Sequence, residues 1–191
     1  GVLFIAISQS GKSPDLLAAT QNAKSGGAYT IALCNTPESP LMQSVDVAVP
    51  LHAGPEKSVA ATKSYIASLS CLVQLVANWV QDFGLSAELA RLPGQLERAW
   101  KCDWSAGVAA LTGAHNLYVV ARGFVLGIAQ EAALKLKETC GLHAEAFSSA
   151  AGTFHVCAAA STSMCRPAAP ARRRGSQFVG VPVLPPAFCG P

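Results

Sequence analysis

The sequence predicts an α/β protein built on a doubly wound parallel sheet with flanking helices, and three observations carry that expectation. Short apolar stretches alternate with helical ones along the first half of the chain. The apolar stretches lack polar alternation, as strands covered on both faces do. The strand-to-turn pattern of residues 2–11 also recurs in outline at residues 117–123.

Taken in order, residues 2–7 (Val-Leu-Phe-Ile-Ala-Ile) read as a buried strand. Ser13 takes the N-cap position of the next helix, with Pro14 first inside it and Asp15 in the first turn. A cap satisfies an orphan amide, and proline has none to lose. That helix runs to Lys24 and stops at Gly26-Gly27. The next strand is 29–33, closed by Asn35-Thr36-Pro37; residues 40–44 form a turn or short helix, and 45–50 a third strand. A long helix is expected over 58–83. Its apolar run from Tyr65 to Val80 is too short for a membrane span and is interrupted by Ser68, Ser70, Gln74 and Asn78, so it reads as a core helix. A further helical stretch over 87–111, broken near Pro93-Gly94, connects to a second unit. There a strand at 117–121 turns at Arg122-Gly123 into a helix reaching Thr139.

Composition narrows the function classes. The 191 residues are 51% hydrophobic and 13% charged, the balance of a well-buried globular chain rather than a disordered one. Of the fourteen basic residues, Arg166, Arg172, Arg173 and Arg174 lie beyond residue 150, where there is no acid. The body is therefore near neutral, which argues against a nucleic-acid surface. No membrane partner is expected. Seven cysteines, an odd number, form no Cys-x-x-Cys pair or metal-finger spacing, so free thiols in a reducing cytoplasm are expected, with no metal and no cofactor. Cys34, Cys71, Cys102 and Cys140 fall in apolar surroundings and read as small buried hydrophobes.

The stretch Ser8-Gln9-Ser10-Gly11-Lys12-Ser13, between strand and helix, has the chemistry of a phosphate site. Gly11 lets the backbone approach an anion, the hydroxyls of Ser8, Ser10 and Ser13 can donate to phosphate oxygens, and the following helix directs its positive end there. Gln9 offers a donor and an acceptor, which suits a sugar hydroxyl. An ordinary strand-to-helix turn has similar composition, and both readings stand on local chemistry alone. In the helix at 128–139, Ala129, Ala132, Ala133, Leu136 and Cys140 share an apolar face, with Glu131, Lys135 and Glu138 together on the opposite side. Taken by itself that charged set is a solvated stripe with i,i+4 support.

Ser-Gln-Ser-Gly-x-Ser after a buried strand resembles the sugar isomerase (SIS) domain, which binds phosphosugars in the glutamine–fructose-6-phosphate transaminase and glucosamine-6-phosphate deaminase families. Glu56–Tyr65 (EKSVAATKSY), and Ala121-Arg122-Gly123 with Glu131–Glu138 and His143–Ala146, follow in the family's order. The resemblance covers roughly residues 1–150 and implies a sugar 6-phosphate, fructose or glucosamine 6-phosphate, as ligand. It assigns Ser8, Gln9, Ser10, Gly11 and Ser13 to the phosphate and sugar hydroxyls, and Val59, Ala61 and Thr62 to the same ligand. In the synthases the equivalent of Ala61 is a serine that touches substrate, so that hydroxyl is missing; Ala-Ala-Thr-Lys is closer to the deaminase-type relatives. Glu138 matches the base that moves a proton between sugar C1 and C2, and Lys135 its neighbouring lysine. His143 and Glu145 read as turn residues with structural hydrogen bonds.

By the same comparison, residues 1–112 correspond to a first unit lacking its first strand and helix, and 113–150 to the opening of a second, truncated unit. Family members assemble as homodimers. Where the family continues with Glu-x-x-His-Gly-Pro, this chain reads Ala151-Gly152-Thr153-Phe154-His155-Val156. Residues 151–191 hold six of the twelve prolines, a single leucine and no Asp, Glu or Lys, which fits either a frameshifted reading or a natural basic tail. The expected function is that of an aminosugar-phosphate isomerase or deaminase in incomplete form. The isomerase half of a glutamine-dependent synthase and the phosphosugar-sensing half of a regulator are the alternatives.

Overall fold

The computed structural model describes residues 1–57 and 59–149. The chain divides into two compact units, Gly1–Ala99 and the part from Trp100 onward. Both are α/β, with parallel strands and flanking helices.

In the first unit, β1 (Leu3–Ser8), α1 (Pro14–Ser25), β2 (Tyr29–Cys34), α2 (Pro40–Ser44) and β3 (Val47–Pro50) build a parallel sheet in the order β1-β2-β3. The central strand β2 carries the core. Ala32 and Cys34 on one pleat face join Ala6, Leu41 and Met42 in a buried cluster, against which Phe4, Leu16, Leu17 and Val45 pack. Ile31 and Leu33, on the opposite pleat face, are buried as well. That explains why the strand reads as an unbroken apolar run.

Two helices follow, and both depart from the sequence expectation. The long helix starts at Lys63 rather than 58 and ends at Trp79 rather than 83 (α3, Lys63–Trp79). Its start is fixed by the Glu56 carboxylate, which accepts the Ser64 amide at 2.7 Å and satisfies a free helix N–H from a distance in sequence. Its end is a left-handed turn at Gln81 (φ 55°), where the Gln81 amide donates to the Asn78 carbonyl and the Asp82 amide to that of Ala77. Asp82 Oδ1 then accepts the Leu85 amide at 2.9 Å and opens α4 (Phe83–Trp100). The break expected near Pro93-Gly94 is absent: α4 runs through Pro93, and the interruption falls at residues 101–104. There Asp103 Oδ1 accepts the Ser105 amide at 2.9 Å to begin α5 (Ser105–Leu111). Proline removes one helical hydrogen bond without always stopping the helix, and a local aspartate cap decides the boundary.

In the second unit, β4 (Asn116–Ala121) leads through a 3-10 turn, Gly123–Val125, into α6 (Leu126–Cys140) and β5 (His143–Ser148), which pairs parallel with β4. Leu117, Ala133 and Ala144 form its buried core. Tyr118 and Phe147 meet edge to face with centroids 5.3 Å apart. Gly141, at φ 63°, ends α6 in the left-handed conformation that glycine takes without strain. Three expectations are corrected here. His143 and Glu145 belong to a strand rather than a turn, Cys140 is exposed rather than buried, and the apolar face of α6 is buried only at Ala129 and Ala133. Cys140 is exposed because it is the last residue of α6, where the face that buries Ala133 has run out.

Candidate functional site

The register of the parallel sheet places Ser8 opposite Cys34 and Cys34 opposite Pro50. Three loops, 9–13, 35–39 and 51–62, therefore leave the carboxyl ends of neighbouring strands at one level, the side on which open α/β sheets hold ligands.

The first loop is closed by its own serines. Ser8 Oγ accepts the Gly11 amide at 2.9 Å, and Ser10 Oγ accepts the Lys12 amide at 3.4 Å. Each hydroxyl thus keeps its proton to donate outward, and accepting an amide polarises it for that purpose. Gly11 is buried at φ 63°, and a Cβ there would lie 2.6 Å from Ser39 Cβ and 2.9 Å from Cys34 Sγ. Any larger residue is excluded on both counts. Ser13 occupies the N-cap of α1 as its sequence predicts, yet its hydroxyl makes no cap hydrogen bond, and the side chain stands exposed. The Gln9 carbonyl accepts from Thr36 Oγ1 at 3.3 Å and from Cys34 Sγ at 3.7 Å. The loop is thereby tied to the end of β2.

The third loop holds Val59, Ala61 and Thr62; Ser58, part of the same motif, lies outside the described residues. Val59 is almost fully exposed (96%), whereas Ala60 is buried and anchors the loop. Thr62 is the N-cap of α3, and its hydroxyl donates to the Ala60 carbonyl at 3.2 Å. Lys63 Nζ donates to the Pro55 carbonyl at 2.6 Å, beside an open hollow bounded by Pro55, Glu56, Lys57 and Lys63. The Ser64 amide, first among several hydrogen bonds, holds the Glu56 carboxyl below its ordinary range, so it stays charged at the helix start.

Lys135 and Glu138 belong to the second unit, on α6. Lys135 Nζ lies 2.9 Å from Glu131 Oε1 and 3.2 Å from Glu138 Oε2, with the Lys135 and Glu131 side chains about one-fifth exposed and that of Glu138 34% exposed. The bond to Glu131, then that to Glu138, raises the Lys135 pKa above its ordinary value. The ammonium is therefore permanently charged and shared between two carboxylates. Among the described residues, no group of three or more His, Cys, Asp or Glu is arranged to hold a metal ion, and no helix is long and apolar enough to cross a membrane.

Sequence reasoning missed the supporting residues Asn35, Thr36, Ser39 and Glu56. A signal was available for the first three, since hydroxyl and amide side chains directly after β2 must face the loop after β1 in a parallel pair. For Glu56 the family-like segment gives its place but not its role, because its bond to Ser64 depends on how the 51–62 loop folds back. Residues 151–191, including His155, lie outside the described residues.

The SIS domain family model matches residues 1–78. The glutamine–fructose-6-phosphate aminotransferase [isomerizing] of Bacteroides thetaiotaomicron is 34% identical over 159 residues, covering 78% of this chain and 26% of that protein. The Pseudomonas syringae pv. tomato protein of the same name is 38% identical over 157 residues, 76% of this chain and 26% of its own. Among solved structures, a candidate phosphosugar isomerase from Silicibacter pomeroyi DSS-3 superposes with a TM-score of 0.75 at 47% identity, covering 78% of this chain and 45% of that one. The C-terminal domain of glucosamine-fructose-6-phosphate aminotransferase from Francisella tularensis gives 0.62 at 28% identity, covering 78% and 45%. The chain thus spans about a quarter of the length of these curated relatives and less than half of the solved chains.

Proposed function

Residues 1–78 are a SIS domain, and from that premise we propose that the chain binds a sugar 6-phosphate, fructose or glucosamine 6-phosphate, within an aminosugar-phosphate isomerase or deaminase. The observation that carries this reading is the Ser8–Ser13 loop. Two of its hydroxyls accept backbone amides and keep their protons free for phosphate oxygens, around a glycine that admits no side chain. Val59, Ala61 and Thr62 form a second wall of the ligand site, and Gln9 serves a sugar hydroxyl. In the reaction, Glu138 takes the proton α to the sugar carbonyl or imine and returns it to the adjacent carbon. Lys135 stabilises the negative charge that develops on the substrate oxygen.

The test is calorimetric titration of the 191-residue chain with fructose 6-phosphate and with fructose. The phosphorylated sugar alone should bind, and Ser10→Ala should weaken it by about 1.5–3 kcal/mol, the worth of a hydrogen bond to a charged group. Equal binding of both sugars overturns the reading. Steady-state turnover of glucosamine 6-phosphate to ammonia and fructose 6-phosphate should be low, because no Glu-x-x-His-Gly-Pro segment follows Ala150. A homodimer belongs to the same proposal. Ile66, Leu69, Val73 and Val76 are exposed on α3 at alternating spacings of three and four, an apolar seam that a second copy can cover. A monodisperse monomer at micromolar concentration in sedimentation counts against it.

A further inference from the structure

Between the phosphate loop and the 51–62 loop stands the end of β2, and its next two residues reach in opposite directions. Thr36 Oγ1 donates to the Gln9 carbonyl at 3.3 Å, on the phosphate-loop side. The Asn35 amide donates to the Ser8 carbonyl at 3.3 Å, on that same side, while its side chain grips the other loop. Asn35 Nδ2 donates to the Gly54 carbonyl at 2.8 Å, and Asn35 Oδ1 accepts the Ala53 amide at 2.9 Å. The segment so gripped holds two left-handed residues within three positions, His52 at φ 52° and Gly54 at φ 73°, and of these the histidine is the strained one. A histidine stays in that region only when its surroundings over-determine it.

We propose that Asn35 is a positioning residue that sets the distance between the phosphate-binding loop and the wall carrying Val59, Ala61 and Thr62. The proposal rests on the ligand reading above and deepens it by dividing the site into two separately held halves. Thr36 fixes the half that meets phosphate. Asn35 fixes the half that meets the sugar, through a two-bond clamp on the only stretch joining β3 to that wall. A turn residue that merely stabilised the fold would affect both halves alike. A clamp affects only the ligand that touches both loops.

Inorganic phosphate reads the first loop alone, and fructose 6-phosphate reads both. Titrations of the 191-residue chain should show Asn35→Ala lowering fructose 6-phosphate affinity roughly tenfold, for two lost hydrogen bonds, with phosphate affinity unchanged within about twofold. Thr36→Val should lower both affinities by the same factor. Asn35→Ser, which shortens the side chain and adds no charge beside the anion, should fall between Asn35→Ala and the parent and serves as the test should the alanine variant not fold. Equal losses for both ligands in the Asn35 variants, or no loss for either, overturn the clamp while leaving the ligand reading intact. A parent chain that binds neither phosphate nor fructose 6-phosphate overturns the ligand reading and the clamp with it.

Discussion

Asp46 and Thr30 bind each other through four hydrogen bonds, one of them from the Asp46 amide to the Thr30 carbonyl at 3.1 Å. Asp46 Oδ2 accepts the Thr30 amide and hydroxyl, both at 2.8 Å, and the Asp46 amide donates back to Thr30 Oγ1 at 3.1 Å. Thr30 is completely buried, and Lys24 Nζ, at the end of α1, lies 3.0 Å from the free Asp46 oxygen. One carboxylate thereby joins the first helix to the entry points of two strands.

The bonds to the Thr30 amide, then Lys24, then the Thr30 hydroxyl lower the Asp46 pKa from 3.8 to about 2. A carboxyl depressed in the folded state contributes stability that is present above pH 3.8 and is lost as the pH falls through about 2. The urea midpoint of the parent chain should therefore drop across that window more than the midpoint of Asp46→Asn. Parallel pH profiles for the two proteins would show that the carboxylate carries no such linkage.

Gly11→Ala should destabilise the first unit and remove phosphate binding. The left-handed backbone costs an L residue about 1–2 kcal/mol, and the collision with Ser39 and Cys34 adds about 1–3 kcal/mol of overpacking. In the double variant Gly11→Ala with Ser39→Gly, the collision is partly relieved and the conformational cost remains. Denaturant unfolding of the four proteins of that cycle should show a favourable coupling between the two sites.

Glu138→Gln separates chemistry from structure. Its ion pair with Lys135 is partly exposed, so the substitution should change stability by no more than about 0.5 kcal/mol. Proton transfer should fall about 10²–10⁴-fold. Incorporation of solvent deuterium into fructose 6-phosphate reports that step directly, because this sugar opens to its keto form without assistance. An unchanged exchange rate removes Glu138 from the mechanism.

Pro93→Ala should raise the melting temperature. Pro93 sits inside α4, in an exposed stretch, and an alanine there restores an amide to the helical ladder. Proline is about 3 kcal/mol worse than alanine in a helix interior, which sets the upper bound of the gain.

Four strands, β1 to β4, were legible because each is an apolar run between turn residues, whereas β5, in which His143 and Glu145 alternate with apolar residues, reads as a turn from sequence. The strand-to-helix turn at residues 8–13 was legible for a related reason: Ser8, Ser10 and Gly11 hydrogen-bond within their own local backbone. What stayed hidden was set by contacts distant in sequence. Glu56 shortens α3 at its start, Gln81 adopts a left-handed turn normally given to glycine, and Asp103 outcompetes Pro93 as a helix boundary. Asn35 belongs to the same group, since its partners lie eighteen and nineteen residues away. The Glu131–Lys135–Glu138 set was visible as a stripe, but periodicity cannot tell a supporting ion pair from a reactive one.

Because Ser8, Cys34 and Pro50 are aligned across the sheet by strand pairing alone, the geometry at this end of the sheet is indexed by the hydrogen-bond ladder rather than by the loops themselves. A slip of one residue between β1 and β2 would turn Ala6 or Ala32 out of the core and carry Gly11 away from Ser39, so misalignment is penalised by the whole apolar interior. Past Gly54, by contrast, the loop has left both that ladder and the Asn35 side chain. On the proposed phosphosugar reading, such a scaffold exchanges one sugar preference for another by editing the 51–62 loop there while the Ser8–Ser13 loop is inherited unchanged.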